Sequence, residues 1–339
     1  MTLNFLIAPD FAPERFAGWH MLNTTLQRRS GIGLHLLTPA SAHEQADLLT
    51  AGKADLVYAG DLQGNLWRFD VSANQAANWK VSFGGNPLFT AKDSGNSPQP
   101  ILTAPLWTPH PRGGIMLGFG TGRNVTEADR TDTSEQSIYA VWDNSKFTMS
   151  GGALTVEDDA TKRISGGRTS LVHQTMGTTA VATYQGRQFF TYTALPVNYA
   201  STGTNPNRRG WYMNFSESGE RETNNPYWFA GPYAAFPSAV PAQGGQQANE
   251  SYTISSNVER PFLTIMELIS GAPPKKALFD TDGGTFTGSE VPASRISNMK
   301  ESVTFKTTDG SQVVIDGVNQ NLGKVPHSPV GSSARWRER

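Results

Sequence analysis

An acidic, glycine-rich stretch near residue 285 contains the clearest set of possible metal ligands. It reads FDTDGGTFTGSE, and Asp280, Asp282 and Glu290 are its carboxylates. A hard cation such as Ca²⁺ is bound by oxygen ligands at alternate positions of a loop in which glycine permits the sharp turn. The pattern is that of an EF-hand-like loop with one acidic position deleted, so it predicts weak calcium binding. A turn that is simply rich in glycine and aspartate is the alternative interpretation.

The residues that enzymes use as catalytic groups do not form a recognisable pattern. The chain has no cysteine, which excludes thiol catalysis, disulfides and cysteine-ligated metals together. None of its six histidines stands in HxxH or HxxxH spacing, and there is no GxSxG nucleophile elbow. The histidines are His20, His35, His43, His110, His173 and His327. The sequence therefore predicts no catalytic residue and no cofactor other than calcium.

The run at 119–123, FGTGR, contains a G-x-G that could belong to a dinucleotide-binding loop. The third glycine of the GxGxxG pattern is missing and no helical pattern follows, so nucleotide binding is not supported. We interpret the run as a strand that ends in a tight turn. Arg123 is expected to pair with a neighbouring carboxylate and to lock that turn.

The composition argues against nucleic acid and membrane partners. Lys and Arg number 28 against 29 Asp and Glu, so the 339 residues carry a net charge of −1. A chain this close to neutral has no electrostatic attraction for nucleic acid or for an anionic membrane surface. Because no stretch of about 18 apolar residues is present, no membrane-spanning helix is expected. The first residues lack the basic and apolar regions of a signal peptide, so we expect no export signal in this chain.

The first 59 residues have the pattern of a βαβαβ segment. Apolar runs at 3–8, 32–37 and 54–59 predict strands, and two helical patterns lie between them. The second of these helices is preceded by Ser41 and Glu44, which have the spacing of a capping box. Alternating strands and helices of this length predict a parallel sheet.

From residue 60 onward the pattern is that of an all-β protein. Only 17% of the residues are charged, against roughly 25% in typical globular proteins, and 34 Gly and 21 Pro mark frequent turns. Short aromatic or β-branched runs bounded by turn residues predict a sandwich, a barrel or a propeller. These runs lie at 66–69, 115–119, 138–142, 189–192, 211–215 and 262–266. The fold class is therefore mainly β, and we divide the chain into domains at 1–59 and 60–339.

Two of these segments echo each other. GDLQGNLWRFD at 60–70 and TSEQSIYAVWD at 133–143 share a polar turn, an aromatic strand and a closing aspartate. GRRGWYMNF and ERPFLTIMELISG are weaker echoes of the same pattern. The blades of a β-propeller repeat a four-stranded unit about every 40 residues, so the echoes favour a propeller.

Residues 55–339 resemble the C-terminal region of the PilC/PilY family. The resemblance rests on motifs in the family's order, among them DLVYAGDLQGNLWRFDVS at 55–72, HPRGGIMLGFGTGR at 110–123 and FDTDGG at 279–284. It implies a partial β-propeller of antiparallel blades with several blades missing, because the family's propeller begins upstream of the matched position. It also implies a type IV pilus biogenesis factor or pilus-associated adhesin that is not an enzyme.

The same resemblance suggests partners, a location and a metal. The partners would be pilus components, pilins and minor pilins, and a host surface, at the pilus, the outer membrane or the cell surface. The family carries a calcium loop of the form D-x-D-x-D-G-x-x-D just before its YAGD motif. Here only Asp47 and Asp55 remain of that loop, and Leu49 and Ala51 replace two ligands. We therefore predict that this loop is non-functional and is simply a helix end followed by a strand.

Residues 1–59 resemble the start of the phosphate/phosphonate periplasmic binding proteins, in the pattern FLIAPDFAPERFAGWHMLNTTLQRRSG followed by ADLVYA. A phosphonate or phosphate solute-binding protein of an ABC transporter is therefore the second functional hypothesis, and it explains this segment alone. A quinoprotein-like propeller enzyme is the third, and no set of converging cofactor ligands marks it.

Two long polar loops are candidate contact surfaces. They are predicted at 198–207, NYASTGTNPN, and at 237–252, PSAVPAQGGQQANESY. Loops carried by a rigid scaffold are where binding contacts concentrate. Variable surface decoration is the alternative interpretation of both loops.

Overall fold

In a computed structural model the chain is mainly β, as its sequence predicts. The structure describes residues 2–6, 33–37, 55–73, 75–150, 153–200, 207–222, 224–230, 232–242, 258–282, 289–299, 302–306, 312–316 and 321–325. Both helical patterns of the first 59 residues fall outside these ranges. Among the residues that are described, no helix has the length and apolar character needed to cross a membrane.

Short strands account for most of the regular structure of the described residues up to 176. They are β1 (Thr2–Leu6), β2 (Gly33–Leu37), β3 (Leu56–Gly60), β4 (Asn65–Asp70), β5 (Lys80–Val81), β6 (Phe89–Thr90), β7 (Leu106–Pro109), β8 (Ile115–Gly120), β9 (Ser137–Asp143), β10 (Phe147–Ser150), β11 (Ala153–Val156) and β12 (Val172–Met176). Within the described ranges helical turns are few: α1 (Ser82–Gly85) and 3₁₀ turns at Ala76–Asn78, Ala128–Thr131, Ala160–Lys162 and Gly167–Ser170.

The second half of the chain contains strands throughout its described ranges. They are β13 (Ala182–Tyr184), β14 (Arg187–Phe190), β15 (Tyr192–Thr193), β16 (Gly210–Asn214), β17 (Arg221–Glu222), β18 (Tyr227–Ala230), β19 (Tyr233–Val240), β20 (Arg260–Glu267), β21 (Arg295–Ser297), β22 (Ser302–Lys306), β23 (Gln312–Asp316) and β24 (Asn321–Val325).

The N-terminal strands share one sheet with the first aromatic strand, in the order β2-β1-β3-β4-β5, and β6 pairs with β4. β1 pairs in parallel with β2, with Thr2 opposite Gly33, and Phe5 lies opposite Leu56 at the start of β3. These are the parallel pairings that the alternating pattern predicts. β3 also pairs with β4, in antiparallel orientation. The predicted domain boundary between residues 59 and 60 falls at the end of β3 and stays a prediction.

The hairpin between β3 and β4 is shaped by Asp61 and Gly64. The Asp61 carboxylate accepts hydrogen bonds from the Asn65 backbone N–H at 2.9 Å and from the Trp67 indole N–H at 2.8 Å. Gly64 has a φ of +75°, and a Cβ there would lie 2.5 Å from the Ala91 carbonyl oxygen. Both the left-handed backbone and the close approach require glycine at this position.

The described residues form two compact units, each assembled from segments that are distant in sequence. Unit 1 lies within Met1–Phe119, Ala140–Leu171 and Asn198–Gly210, and unit 2 lies within Gly120–Tyr139, Val172–Val197 and Trp211–Arg339.

The main sheet of unit 2 has the order β13-β14-β21-β20-β19-β17, and β18 also pairs with β19. β19 and β20 form its long central ladder, which runs from Tyr233 opposite Glu267 to Val240 opposite Arg260. Alternate side chains of this ladder, among them Leu263 and Ile265, are buried in one core. The core also contains Phe189, Tyr227, Phe229, Phe279 and Ile296. Burial of each large apolar side chain stabilises the fold by about 1.5–3 kcal/mol.

The predicted polar loop at 237–252 is wrong in its first residues. Pro237 lies inside β19, opposite Leu263 of β20, and is buried. Proline has no N–H to donate, so it is normally excluded from a strand that is paired on both sides. On the other side of β19, β17 pairs with residues 238–239 and β18 pairs with 233–235. Pro237 therefore falls between these two short partners, where no N–H is needed.

The predicted strand at 189–192 is in fact two strands that belong to different sheets. β14 ends at Phe190 and pairs with β21, whereas β15 begins at Tyr192 and pairs with β12. The chain changes sheet at Thr191, whose carbonyl accepts a hydrogen bond from the Gly177 N–H at 3.0 Å. A continuous apolar pattern does not reveal such a change, because the residues on either side are buried in both cases.

Candidate interaction site

The structure places the predicted calcium ligands on either side of residues 283–288, which it does not describe. Asp280 is half-buried, Asp282 is exposed, and the Asp282 N–H donates to Asp280 Oδ1 at 3.1 Å. Glu290 is half-buried. Within the described ranges no three histidine or carboxylate side chains are grouped as a metal ion would require. The calcium loop stays a prediction.

Of the second predicted loop, Asp47 lies outside the described residues and Asp55 directly precedes β3. The Asp55 carbonyl accepts a hydrogen bond from the Val71 N–H at 3.0 Å. Asp55 therefore takes part in pairing at the start of a strand, which is the simpler interpretation of this stretch.

The two echoing segments end in the same local structure. In the first, the closing Asp70 accepts hydrogen bonds at Oδ1 from the Ser72 N–H at 3.2 Å and from the Ser72 hydroxyl at 2.6 Å. In the second, Asp143 accepts at Oδ1 from the Ser145 N–H at 3.0 Å and from the Ser145 hydroxyl at 2.6 Å. The Asp-x-Ser turn thus extends the echo beyond the shared strand and ends both strands in the same way.

Asp143 has an additional role, because its second oxygen anchors a buried polar network in unit 1. Oδ2 accepts hydrogen bonds from Arg68 Nη1 at 2.8 Å and from the Tyr58 hydroxyl at 2.7 Å. Both Arg68 and Asp143 are 0% exposed. Arg68 Nη2 also donates to the Glu157 carbonyl at 2.8 Å, so the charge is both paired and hydrogen-bonded.

The other side of the Arg68 guanidinium is covered by an aromatic ring. Its central carbon lies 3.9 Å from the centroid of Phe83, a cation–π distance. Phe83 has a φ of +57°, which is unusual for a bulky residue, and its N–H donates to the Asp158 carboxylate. The strained α1 turn is thus held between Arg68 and Asp158.

Unit 2 contains a corresponding buried pair. Glu220 accepts from Arg295 in bidentate fashion, at 2.7 Å from Nη1 and 2.9 Å from Nη2. The Ser238 hydroxyl donates to the same carboxylate at 2.6 Å. The Arg295 guanidinium lies 3.9 Å from the centroid of Phe262. Each unit therefore fixes its strands with an arginine that is paired with a carboxylate and covered by phenylalanine.

The most distinctive surface feature is an exposed loop, residues 123–134, which we call the pinned loop. All of its residues are exposed except Asp129. The Asp129 carboxylate accepts from Arg123 Nε at 2.7 Å, from the Val125 N–H at 2.9 Å and from the Thr126 N–H at 2.7 Å. The predicted pairing of Arg123 with a neighbouring carboxylate is confirmed.

These contacts also set the charge of Asp129. Burial on its own would raise the pKa of Asp129, but the hydrogen bonds from Arg123 and from the backbone N–H groups hold that pKa well below its usual value. The carboxylate is therefore ionised throughout the neutral and mildly acidic range.

The base of the pinned loop is held by Arg221, a buried residue of β17. Its guanidinium makes four hydrogen bonds, all to backbone carbonyl groups: those of Gly219, Arg123, Asp129 and Asp132. Three of these four carbonyls belong to the loop. Gly122, just before the loop, has a φ of +130°, and a Cβ there would lie 2.2 Å from the Arg221 Cβ. Arg221 can reach the loop only because residue 122 has no side chain.

The result is a rigid loop with an outward-facing apolar residue. Val125 is 75% exposed although both its own N–H and the next one are held by Asp129. A surface whose backbone is already ordered loses little conformational entropy when a partner binds. The arrangement suits non-covalent contact with another molecule.

Sequence reasoning missed Arg68 and Arg221 as organising residues. A signal for Arg68 does exist: in NLWRFD the alternation places Arg68 on the same inward face as Leu66, and both are buried. A charged residue at an inward position of an aromatic strand predicts a buried partner. For Arg221 the strand contains two residues, which is too short to show alternation.

Comparison with known proteins points to one family. The family model of the PilY1 beta-propeller domain matches residues 21–187. The type IV pilus biogenesis factor PilY1 of Pseudomonas aeruginosa is 35% identical over 212 residues, which make up 56% of this chain and 17% of that protein. A PilY1 homolog of Xylella fastidiosa is 37% identical over 125 residues, which make up 37% of this chain and 9% of that protein. The chain is thus similar to the PilY1 family over these residues.

A solved structure agrees on the fold. The crystal structure of the Pseudomonas aeruginosa PilY1 C-terminal domain superposes with a TM-score of 0.58 and 24% sequence identity, over 80% of this chain and 57% of that one. The resemblance to the PilC/PilY family that the motifs predicted is therefore confirmed. The chain spans 17% of the length of its Pseudomonas PilY1 relative. Asp129, Arg68 and Asp143 lie within the residues that the PilY1 family model matches.

Proposed function

We propose that the chain is a contact module of a type IV pilus biogenesis factor or pilus-associated adhesin. It binds pilus components, pilins and minor pilins, and works at the pilus or the cell surface without catalysing a reaction. Support comes from the type IV pilus biogenesis factors among its relatives. The observation that carries the proposal for this chain is the pinned loop, an exposed segment whose backbone is fixed from beneath by Asp129 and Arg221.

The sheets that carry this loop are proposed to be blades of a partial β-propeller. The description of the matched family model and the two strands ending in the same Asp-x-Ser turn support this architecture. A propeller presents the connections between its strands on its two faces, where contact residues are added without disturbing the core.

The contact function is tested by a charge placed at the tip of the pinned loop. Val125→Glu changes an exposed side chain, so folding is preserved, while an apolar contact is replaced by a carboxylate. We expect Val125→Glu to weaken binding to purified, immobilised pilin and minor pilins by tenfold or more, as loss of a central contact does. Val258→Glu is the matched control, because Val258 is 72% exposed and lies outside the loop. Equal affinity of the two variants would refute the role of the loop.

Calcium is proposed as a modulator through Asp280, Asp282 and Glu290. Support comes from the spacing of these carboxylates and from the half-buried position of two of them. Titration with millimolar Ca²⁺, followed by tryptophan fluorescence and calorimetry, should show saturable weak binding that Asp280→Asn with Asp282→Asn removes. Asp55→Asn is the control and should leave binding unchanged. Absence of any heat or fluorescence change in the parent chain would exclude the site.

A further inference from the structure

Three aromatic side chains of unit 1, His110, Trp142 and Tyr199, pack against one another and form what we call the aromatic clasp. The His110 ring is stacked on Trp142 with centroids 4.2 Å apart, and Tyr199 meets it edge-on at 4.4 Å. Tyr199 also meets Trp142 edge-on at 5.4 Å. His110 and Trp142 are buried, and Tyr199 is half-buried. The contact joins the end of β7, the strand β9 and the segment 198–200.

The hydrogen bonds of His110 indicate a neutral ring. Its Nδ1 accepts from the Arg112 backbone N–H at 3.2 Å, so the proton of the neutral imidazole is on Nε2. Nε2 is buried and has no hydrogen-bond partner among the described residues. A second proton would place a charge inside an aromatic contact that offers it no acceptor.

The charged groups around the clasp also disfavour protonation of His110. Arg112 lies on the turn that follows His110, and Arg209 lies 5.8 Å from the Trp142 ring and donates to the Trp142 carbonyl at 2.8 Å. Asp143, next to Trp142, is occupied by Arg68 and Tyr58. An imidazolium would therefore be repelled by Arg112, while the neighbouring carboxylate is already paired. Burial, assisted by Arg112, lowers the pKa of His110 to about 4.

The clasp lies where the segments 198–200 and 208–209 meet. Tyr199 is followed by Ala200, whose N–H donates to Asn198 Oδ1 at 2.9 Å, and the Asn198 carbonyl accepts from the Arg208 N–H at 3.0 Å. The next residue, Arg209, accepts at its carbonyl from the Trp142 N–H at 2.8 Å. The two segments are thus tied to each other by a backbone hydrogen bond. The segment 198–200 is tied to β9 through the aromatic rings, and the segment 208–209 is tied to it through the Trp142 N–H.

We propose that the aromatic clasp is an acid-sensitive latch, which keeps the segment 198–200 bound to β9 at neutral pH and releases it when His110 is protonated. The direction of the pH dependence follows because proton uptake by His110 is coupled to opening of the clasp. Once the clasp opens, His110 is solvated and takes up a proton near its ordinary pKa of about 6.5. The clasp is therefore fully closed above that pH and weakens as the pH falls from about 6.5 towards 4. This latch is independent of the pilus function, since it concerns only unit 1.

Hydrogen exchange at the amides of Ala200, Arg208 and Trp142 tests the latch. After correction for the intrinsic pH dependence of exchange, we expect their protection to fall by up to about tenfold per pH unit between pH 6.5 and 4, which is the slope for uptake of one proton. His110→Phe keeps a ring that cannot be protonated, so its protection should be flat over that range. His173→Phe is the matched control: His173 is also stacked on an aromatic ring, Tyr212 at 4.5 Å, but is exposed and belongs to unit 2.

Three results would overturn the proposal. The first is a pH profile of His110→Phe that matches the parent chain, and the second is a parent profile without any loss of protection above pH 4. The third comes from NMR of the unmodified chain, in which the His110 imidazole must titrate well below pH 6.5. A pKa at or above that value would exclude the latch even if His110→Phe failed to fold.

Discussion

Arg68 Nη1 lies 2.8 Å from Asp143 Oδ2, and both side chains are completely shielded from solvent. The two residues are 75 positions apart, one in each of the two strands that end in an Asp-x-Ser turn. The ion pair therefore connects one echo of the repeated pattern to the other. It lies beneath the surface and offers nothing to a ligand, so its contribution is to fix the relation between two strands of unit 1.

Removal of either partner of this pair should be strongly destabilising. Arg68→Met leaves the Asp143 charge buried with only hydroxyl and N–H donors. Asp143→Asn leaves the buried guanidinium with only the partly exposed Asp158 carboxylate, 3.9 Å from Nη2, as a counter-charge. Each change should lower the free energy of unfolding by about 3–5 kcal/mol, the range for an orphaned buried charge. Urea denaturation, monitored by tryptophan fluorescence, measures this loss in the free energy of unfolding.

The chain offers a surface pair as control for that experiment. Arg260 and Glu217 form a 2.8 Å ion pair in which the side chains are 53% and 34% exposed. Arg260→Met should cost less than about 1 kcal/mol, because solvent screens such a pair. Similar losses for Arg68→Met and Arg260→Met would contradict a structural role for the buried pair.

A methyl group at Gly122 should disrupt the base of the pinned loop. Gly122→Ala introduces a Cβ 2.2 Å from the Arg221 Cβ, at a backbone φ of +130°. Gly113 is the natural comparison, since it also has a positive φ, +88°, but a Cβ there meets nothing within 4 Å. Gly113→Ala should cost about 1 kcal/mol from backbone strain alone, and Gly122→Ala should cost clearly more. Thermal melting of both variants measures the difference, and equal losses would argue against the close packing of Arg221.

The contribution of Asp129 to the stability of the fold should persist to low pH. Its pKa in the folded chain lies below the value of about 3.9 that an unfolded chain has, so the stabilisation is complete above that value and is lost only as the pH falls further. Asp129→Asn should lower stability at pH 7 by about 2 kcal/mol, the range for hydrogen bonds to a charged group. The difference between variant and parent should be constant from pH 8 to 5 and shrink below pH 4. A difference that already declines near pH 6 would point to another titrating group.

Tyr58 should resist ionisation in alkali. Burial and the Asp143 carboxylate raise the pKa of Tyr58 well above its ordinary value, because a phenolate would sit beside an existing negative charge. Tyr58→Phe removes the hydroxyl that donates to Asp143 and should cost about 1–2 kcal/mol. In a spectrophotometric titration up to pH 11 the variant and the parent should show the same absorbance change, since Tyr58 stays protonated in the fold. A smaller change in Tyr58→Phe would show that this hydroxyl titrates.

The strands of the β region were readable from the sequence because their signals are local. Runs such as 115–119 and 262–266 alternate or continue apolar residues between turn signals, and both lie inside observed strands, β8 and β20. Two predictions were wrong for the same reason: the single strand at 189–192 and the polar loop that was to begin at 237. The structure at Thr191 and at Pro237 depends on which strands lie alongside, and a local sequence pattern carries no information about neighbouring strands.

The candidate site was only half predictable. The turn after FGTGR and the need for a carboxylate beside Arg123 follow from residue types close in sequence, and Asp129 is six positions away. Arg221, which supports the base of the loop, lies 98 positions after Arg123, whose carbonyl it binds. Such a contact exists only after the sheets have assembled.

Residue types and their spacing thus determined that this chain is mainly β, where most of its strands lie and which family it resembles. The assembled fold decided which charges meet: Arg68 with Asp143, Arg295 with Glu220, and Arg221 with the carbonyls of the pinned loop. The reason is physical. Strand formation follows from a periodicity that each segment carries in itself, whereas a buried charge needs a partner brought from far along the chain, and only packing selects it.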